Sequence, residues 1–380
     1  MKITRIEPIV VEVTERGDWV FVLVHTDAGI TGLGEASHSL NDALLVATLE
    51  IFADRIIGED PLAIRKIWRV LSGLRGGRIT HTAVSAIDQA LWDILGQHLG
   101  VPIHALFGGA VRRKLRLYAN INRHVRDRSP EGFAAAARQA VDEGFTAVKL
   151  APFDELRGPD HVRTGPKAAW RPGVDRVRAV RAAIGDEIDL AIDCHGRMEA
   201  SEAIVVGREL ESCNLMWYEE PVKHTFPDQL SLISRSVPMP TASAESVFAV
   251  EGFRSFLLER VVDVLMPDVK HCGGLSEMQS IADAARLKQL LIAPHNPSGP
   301  VATVSTAHSA CTIPTFTILE YAWGEVDWRA DLITPREPVQ DGYLTVSDTP
   351  GLGYELNMEI VAAHRREVPG TADSTKVRVA

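Results

Sequence analysis

The sequence predicts a parallel α/β barrel that follows a smaller α+β domain. Between residues 115 and 320, eight short apolar runs alternate with amphipathic segments of helical periodicity. Most of these runs end on a polar residue, often a carboxylate or an imidazole, as in barrels whose active site lies at the carboxyl ends of the strands. Eight such units in about 210 residues favour a closed barrel over an open sheet.

The predicted barrel elements follow one another in regular order. Strands are expected over residues 115–120, 146–150, 188–193, 215–219, 240–245, 261–266, 289–293 and 315–320. Helices are expected near residues 131–143, 173–184, 199–211, 226–236, 248–258, 275–287 and 299–311. The stretch Phe153–Arg171 interrupts the alternation after the second strand. Its Gly-Pro and Arg-Pro pairs indicate a loop, which makes it a candidate lid.

The beginning of the chain has a different pattern, which predicts the α+β domain. Three antiparallel strands are expected at Ile3–Val13, Trp19–Thr26 and Ile30–Glu35, the first two joined by the short connection Thr14–Asp18. Helical periodicity follows at residues 41–55, 61–73 and 80–98. The predicted domains are 1–112, 113–330 and a C-terminal segment, 331–380, that returns to the first domain, with a flexible tail from about residue 366.

Composition excludes several classes of protein. The 380 residues carry a net charge of −10, so we expect no nucleic-acid partner, which would need a basic face. No apolar run reaches the length of a membrane span, and the N-terminus lacks the apolar core of an export signal. The four cysteines form no Cys-x-x-Cys pair, which indicates free thiols and a cytoplasmic protein. A Gly-x-Gly-x-x-Gly motif for nicotinamide cofactors is absent after the first strand.

Three carboxylates end consecutive predicted barrel strands. Asp193, Glu219 and Glu245 are spaced 26 and 26 residues apart. Because neighbouring strand ends lie close together in a barrel, these groups would repel one another unless a hard cation held them. An all-oxygen ligand set predicts Mg²⁺, with Mn²⁺ as an alternative. Glu220 competes with Glu219 for the second ligand position, and Glu219 is preferred because it continues the strand directly. Solvent-exposed loop acids are the alternative interpretation.

Two further strand ends predict a catalytic base. Asp268 and His295 follow the sixth and seventh strands, where a carboxylate can hydrogen-bond an imidazole and raise its basicity. His195 lies two residues after Asp193 and could act as a general acid from the opposite face. The alternative for His295 is a loop histidine near a surface acid, and for His195 a histidine that packs or supports the site without touching substrate.

Two more charged residues stand at strand ends beside this group. Lys149 ends the second strand and is expected to direct its ammonium group at a substrate carboxylate or enolate. Glu320 ends the eighth strand and could donate a hydrogen bond to a carboxylate oxygen if it is protonated. The alternative for each is an ordinary strand-end residue without a role in catalysis.

A series of short motifs in a fixed order resembles the enolase superfamily, specifically the mandelate racemase subgroup and most closely its galactonate-dehydratase-like acid-sugar dehydratases. The motifs are Gly32-Leu33-Gly34-Glu35, Ala86-Ile87-Asp88-Gln89-Ala90-Leu91-Trp92-Asp93, Trp217-Tyr218-Glu219-Glu220-Pro221, Met266-Pro267-Asp268, Pro294-His295-Asn296, Leu319-Glu320 and Pro350-Gly351-Leu352-Gly353. The resemblance covers nearly the whole chain. It implies a modified TIM barrel of the (β/α)7β type with an N-terminal capping domain.

The resemblance also implies the chemistry. Mg²⁺ would be held by Asp193, Glu219 and Glu245, and the His295–Asp268 dyad would abstract a proton. Racemases of the subgroup carry Lys-x-Lys on the second strand, where this chain has Ala151 in place of the second lysine. His195 stands where galactonate-dehydratase-like members have their leaving-group acid. Both features favour a dehydratase over a lysine–histidine racemase.

The expected reaction is the Mg²⁺-dependent dehydration of an acid sugar, an aldonate or an aldarate, to a 2-keto-3-deoxy acid through an enediolate. The alternatives are an epimerase or racemase, a lactone cycloisomerase, and a catalytically silent family member. The expected partners are a small acid-sugar substrate and further copies of the chain in a homo-oligomer, with no membrane.

Overall fold

The fold joins an N-terminal α+β region to an eight-stranded parallel barrel. The structure is a computed structural model that describes residues 1–37, 41–74, 76–156, 158 and 168–368. No helix in these ranges is both long and apolar enough to cross a membrane.

The N-terminal region is an antiparallel sheet covered by helices. The strands are β1 (Ile3–Thr14), β2 (Gly17–Thr26) and β3 (Thr31–Glu35), in that order across the sheet. The helices are α1 (Asp42–Ile56), α2 (Ile64–Ser72), α3 (Gly77–Leu99) and α4 (Ile103–Leu106). Helix α3 packs closely on β3 because Gly32 and Gly34 have no side chain, and a Cβ at Gly32 would lie 2.0 Å from the Ala90 carbonyl oxygen. The three predicted strands and three long helices are found within a few residues of their expected bounds.

The barrel strands and helices alternate as predicted. The strands are β4 (Lys114–Asn120), β5 (Ala147–Leu150), β6 (Asp189–Asp193), β7 (Trp217–Glu219), β8 (Thr241–Ser243), β9 (Val264–Leu265), β10 (Leu291–Ile292) and β11 (Leu319–Tyr321). The helices are α5 (Pro130–Asp142), α6 (Arg171–Ile184), α7 (Ala200–Glu209), α8 (Pro227–Ser234), α9 (Ala249–Gly252), α10 (Arg254–Glu259), α11 (Leu275–Arg286) and α12 (Pro300–Ala310). The single helix predicted near 248–258 is wrong in one respect, since Phe253 leaves the helical conformation and divides it in two.

Parallel pairing runs around the whole ring. The strand order is β10-β9-β8-β7-β6-β5-β4-β11. The parallel bridge between Ile292 and Phe316 joins β10 to the residues just before β11 and closes the ring. Helices follow the first seven strands and none follows β11 directly in the described chain, so the expected (β/α)7β barrel is confirmed. All the strands therefore present their carboxyl ends at one face.

The C-terminal segment contacts both parts of the molecule. It contains β12 (Ile333–Thr334), β13 (Val339–Gln340), β14 (Tyr343–Thr345), β15 (Glu355–Leu356) and α13 (Met358–His364). Strand β14 pairs with β4 of the barrel, whereas α13 packs against β1. The exact domain bounds stay a prediction. The expected flexible tail beyond residue 368, and residues 157 and 159–167 of the insertion, lie outside the described residues.

Two buried acidic side chains of the N-terminal region accept hydrogen bonds from the first residues of barrel helices. Glu35 accepts hydrogen bonds from the backbone N–H groups of Gly299 and Ala302, at 2.7 Å each, where α12 begins. Asp88 on α3 accepts one from the N–H of Ser276 at 3.0 Å, where α11 begins. The first N–H groups of a helix lack partners within the helix, so these side chains supply the missing hydrogen-bond acceptors. The contacts fix the N-terminal region onto the barrel.

The burial of Asp88 makes the free energy of unfolding depend on pH. Burial raises the pKa of Asp88 from 3.8 to about 7. The pKa of Asp88 is thus higher in the folded protein than in the unfolded chain. The contribution of Asp88 to the free energy of unfolding is therefore fully present below about pH 4, and it is lost as the pH rises towards 7. We therefore predict that Asp88→Asn gains stability relative to the wild type over that interval, reaching roughly 1–4 kcal/mol above pH 7. Urea denaturation at a series of pH values measures this gain.

The exposed Asp54 on α1 provides the control. Asp54→Asn makes the same change at an exposed position and should shift the unfolding free energy by less than about 0.5 kcal/mol. A constant difference between Asp88→Asn and the wild type at all pH values would contradict the assignment of Asp88.

Candidate active site

Three carboxylates converge at the carboxyl face of the barrel. Asp193 and Glu219 are the last residues of β6 and β7 and lie in register with each other, and Glu245 follows β8 by two residues. One oxygen from each lies within 4.8 Å of the others. Ala244, just before Glu245, has a φ of 88°, a left-handed conformation that is strained for a residue with a side chain. The predicted convergence of these three groups, the acidic triad, is therefore present in the structure.

The acidic triad has an excess of negative charge. Burial and the neighbouring Asp193 raise the pKa of Glu219 to about 8. Burial, Glu220 and Asp193 raise the pKa of Glu245 well above its ordinary value. Oε2 of Glu245 is buried and makes no hydrogen bond, although Nε2 of His295 lies 3.2 Å away. The donor set is all oxygen and electrostatically unsatisfied, so it fits a hard divalent cation.

Glu220 takes no part in the triad. Its Oε1 accepts hydrogen bonds from the Ser243 hydroxyl at 2.9 Å and from the Ala244 N–H at 3.2 Å. Glu219, by contrast, is fully buried and belongs to the triad. The geometry thus agrees with the choice of Glu219 over Glu220.

Lys149 neutralises part of the triad from within the barrel. Its Nζ donates to both carboxylate oxygens of Glu219, at 2.9 and 3.0 Å, and lies 3.0 Å from Oε1 of Glu320. The side chain is buried and does not line the adjacent cavity. Two carboxylates thus engage the ammonium group, and its expected contact with a substrate carboxylate or enolate stays a prediction.

His295 and Asp268 form the predicted pair. The Nδ1–H of His295 donates to Oδ2 of Asp268 at 2.7 Å, and its Nε2 faces Glu245. Burial lowers the pKa of His295, which favours the neutral ring. The sequence did not identify Lys270, a buried residue whose Nζ donates to the same Asp268 oxygen at 2.8 Å. Lys270 thus compensates the buried Asp268 charge and fixes the orientation of its carboxylate.

His195 lies at the other end of the triad. Its Nε2 is 3.0 Å from Oδ2 of Asp193, and its Nδ1–H donates to Oδ1 of Asp154 at 2.6 Å. The Asp193 carboxylate raises the pKa of His195 well above its ordinary value, despite burial. His195 also has a φ of 50°, a strained conformation for a residue with a side chain.

Glu320 acts as a hydrogen-bond acceptor in this site. It accepts from the Asn120 side-chain amide at 2.6 Å and from the Asn296 N–H at 2.8 Å. Burial opposes ionisation, but Lys149 and His295 outweigh it and lower the pKa of Glu320. The expected role of Glu320 as a hydrogen-bond donor to the substrate stays a prediction.

A cavity of about 410 Å³ opens above the triad. Asp193, His195, Glu245, His295 and Glu320 line it. The cavity is also lined by Arg16, Arg78, Asn122, Arg123, Asp154, Arg197 and Lys270. The N-terminal region therefore contributes two arginines to the wall, from the β1–β2 turn and from the start of α3.

Comparisons with families match both parts of the chain. Residues 2–108 match the mandelate racemase/muconate lactonizing enzyme N-terminal domain, and residues 132–360 match the family described as enolase C-terminal domain-like.

Named relatives are similar over nearly their whole length. A D-xylonate dehydratase of Haloferax volcanii is 33% identical over 361 residues, which cover 92% of this chain and 86% of that protein. A D-galactonate dehydratase of Verminephrobacter eiseniae is 33% identical over 360 residues, or 92% of each chain. The mandelate racemase/muconate lactonizing enzyme-like protein of Rubrobacter xylanophilus superimposes with a TM-score of 0.88 at 34% identity, covering 97% of this chain and 99% of that one.

The triad should bind a divalent cation, which a pair of adjacent glutamates can test. We predict that Glu219→Gln weakens Mn²⁺ binding by 10-fold or more, because it removes one charged ligand oxygen from a buried site. Glu220→Gln is the matched control and should keep the wild-type affinity, since Glu220 is bonded to Ser243 and Ala244. Isothermal titration calorimetry measures both affinities. Equal affinity of the Glu219 variant and the wild type would contradict the assignment.

Proposed function

Since the chain belongs to the mandelate racemase/muconate lactonizing enzyme family of the enolase superfamily, we propose that it dehydrates an acid sugar to a 2-keto-3-deoxy acid. It would then be a carbon–oxygen lyase. One observation carries this proposal: His295 and His195 approach the acidic triad from opposite ends, with Nε2 atoms 3.2 Å from Glu245 and 3.0 Å from Asp193. Dehydration needs one group that takes a proton and another that gives one, and this arrangement provides both.

Asp193, Glu219 and Glu245 would hold Mg²⁺, or Mn²⁺ in its place. When bound, the cation would lower the energy of the negative charge that develops on the substrate carboxylate as its α-proton leaves. The unsatisfied Oε2 of Glu245 and the raised pKa values of Glu219 and Glu245 support this assignment.

His295 would remove the proton from C2 of the substrate. Its Nδ1–H is held by Asp268, so Nε2 is the nitrogen that faces the cavity and accepts the proton. Asp268 then stabilises the imidazolium ring. The electron pair released from the C2–H bond forms the enediolate.

His195 would complete the elimination. It donates a proton from Nε2 to the C3 hydroxyl as the C3–O bond breaks, so one water molecule leaves. The resulting enol takes a proton at C3 and becomes the 2-keto-3-deoxy acid. Lys149 and Glu320 would support these steps by holding Glu219 and the Asn296 loop in place, as their hydrogen bonds indicate.

The charges on the cavity wall support an acidic substrate. Arg16, Arg78 and Arg197 line the cavity, and within the described part of the chain none of them forms an ion pair with a carboxylate. Their positive charges are therefore available to the substrate. The relatives named for D-xylonate and D-galactonate dehydration act on acids of this class.

The paired histidines also favour a second candidate. An epimerase or lactone cycloisomerase could use His195 and His295 as base and acid on opposite faces of C2. Such an enzyme would exchange or rearrange its substrate without loss of water. The third alternative, a silent family member, is disfavoured by the complete set of charged groups.

Proton NMR in D₂O separates these activities. The protein is incubated with Mg²⁺ and a library of acid sugars that includes aldonates and aldarates. Loss of the C2 proton signal together with new C3 methylene signals supports the dehydratase. Exchange or inversion at C2 without methylene signals supports the epimerase. No reaction across the library, with cation binding confirmed, would contradict the proposed substrate class.

A substitution of the base tests the mechanism. We predict that His295→Asn lowers both C2 exchange and dehydration by about 10²–10⁴-fold, the usual contribution of a general base. His98→Asn, at an exposed position on α3, is the control and should retain the wild-type rate. Undiminished C2 exchange in His295→Asn would show that another group takes the proton.

A further inference from the structure

Asp154 lies at the start of the insertion that follows β5, where the sequence patterns identify a loop but no catalytic residue. Its carboxylate reaches the cavity wall beside His195. Oδ1 accepts the 2.6 Å hydrogen bond from Nδ1 of His195. The other oxygen, Oδ2, accepts from the Arg128 guanidinium at 3.2 Å and from the Asn122 side-chain amide at 3.3 Å.

The contacts around Asp154 form a built support. Arg128 is fixed by hydrogen bonds to the Ala151 carbonyl at 2.6 Å and to the Asn122 side-chain oxygen at 2.9 Å. Its guanidinium also lies over the Phe133 ring, 5.0 Å from the centroid. Because Oδ2 of Asp154 is held in this way, Oδ1 is directed at the imidazole.

The pair formed by His195 and Asp154 repeats the geometry of the pair formed by His295 and Asp268. In each, Nδ1 donates to a carboxylate outside the acidic triad, at 2.6 and 2.7 Å. In each, Nε2 faces a carboxylate of the triad, Asp193 in one case and Glu245 in the other. The site thus contains two imidazole–carboxylate pairs, one at each end of the triad.

Orientation matters more for His195 than for His295. The side chain of His195 is 36% exposed, whereas that of His295 is 10% exposed and fixed by its surroundings. Without a partner for Nδ1, the ring of a partly exposed histidine can turn, and either nitrogen can face the substrate. The hydrogen bond to Asp154 leaves Nε2 as the nitrogen at the triad.

We propose that Asp154 is a positioning residue for the leaving-group step, and that it holds His195 with Nε2 towards the C3 hydroxyl of the substrate. The inference rests on the proposed dehydratase function. It assigns to the first turn of the insertion a direct part in building the active site. Asp154 bonds to His195 and the proposed base His295 bonds to Asp268, so the loss of Asp154 should affect the leaving-group step and not proton removal at C2.

Substitution of Asp154 tests whether it acts on the leaving-group step and not on proton removal at C2. With a sugar acid that the wild type dehydrates, Asp154→Ala should lower the rate of dehydration about 10–100-fold and raise the ratio of C2 deuterium exchange to dehydration by a similar factor. Asp154→Asn retains an oxygen that accepts from Nδ1, so it should recover much of the lost rate. The neighbouring Glu155 is bonded to Arg176 and does not line the cavity, which makes Glu155→Gln the matched control with wild-type rates.

Three results would overturn the inference. One is dehydration at the wild-type rate in Asp154→Ala. Another is an equal loss of exchange and dehydration, with Mn²⁺ affinity retained, because Asp154 would then act on more than the leaving-group step. The third is independent of activity: a crystal structure of Asp154→Ala in which the His195 ring keeps Nε2 facing Asp193. If the wild type itself neither exchanges nor dehydrates any sugar acid, the proposed function fails, and this crystal structure still decides whether Asp154 orients His195.

Discussion

The rest of the site depends on one constraint, the mutual repulsion of three closely spaced carboxylates, two of them buried and one partly buried. Asp193, Glu219 and Glu245 lie with their ligand atoms within 4.8 Å of one another, where like charges destabilise each other strongly. The residues around them compensate only part of that charge. Lys149 bonds to Glu219 and His195 faces Asp193, whereas burial favours the neutral form of the His295 ring that faces Glu245. A divalent cation would neutralise the remaining negative charge of the triad. Its positive charge would also stabilise the anion formed when a substrate loses its α-proton.

The barrel supplies rigidity at this point, and the N-terminal region closes the site. The triad carboxylates belong to or follow directly on parallel strands, whose ladders fix the distances between them. The arginines at the β1–β2 turn and at the start of α3 belong to a region that Glu35 and Asp88 attach to the barrel helices. Under the proposed function, the buried contacts of Glu35 and Asp88 would therefore hold two substrate-binding arginines in place.

Periodicity in the sequence was sufficient to predict the elements and much of the site. Strand ends can be read from apolar runs, and parallel strands bring their ends together, so Asp193, Glu219 and Glu245 could be placed without coordinates. The same reasoning brought Asp268 beside His295. It also placed Lys149 at a strand end. It did not predict that Lys149 bonds to Glu219 and Glu320, because a strand pattern shows where a side chain lies on the strand but not which residues it contacts.

Other parts of the site carry no such pattern. Asp154 begins a loop rich in glycine and proline, and only the fold brings it to His195, 41 residues later. Lys270 lies beyond a strand end in a buried turn, where nothing in the sequence distinguishes it from an exposed lysine. Glu35 and Asp88 belong to sequence motifs of the N-terminal region. Their contacts at the starts of α12 and α11, however, are with residues 264 and 188 positions later in the chain. These interactions arise from tertiary packing, which local propensity does not encode.

Anomalous diffraction from crystals grown with Mn²⁺ tests the central claim most directly. We predict a single strong anomalous peak among Asp193, Glu219 and Glu245, with one oxygen of each at about 2.0–2.3 Å from the ion. A peak at other residues, or no peak in this site at saturating Mn²⁺, would contradict cation binding by the acidic triad. The three carboxylates would then need another explanation for their convergence.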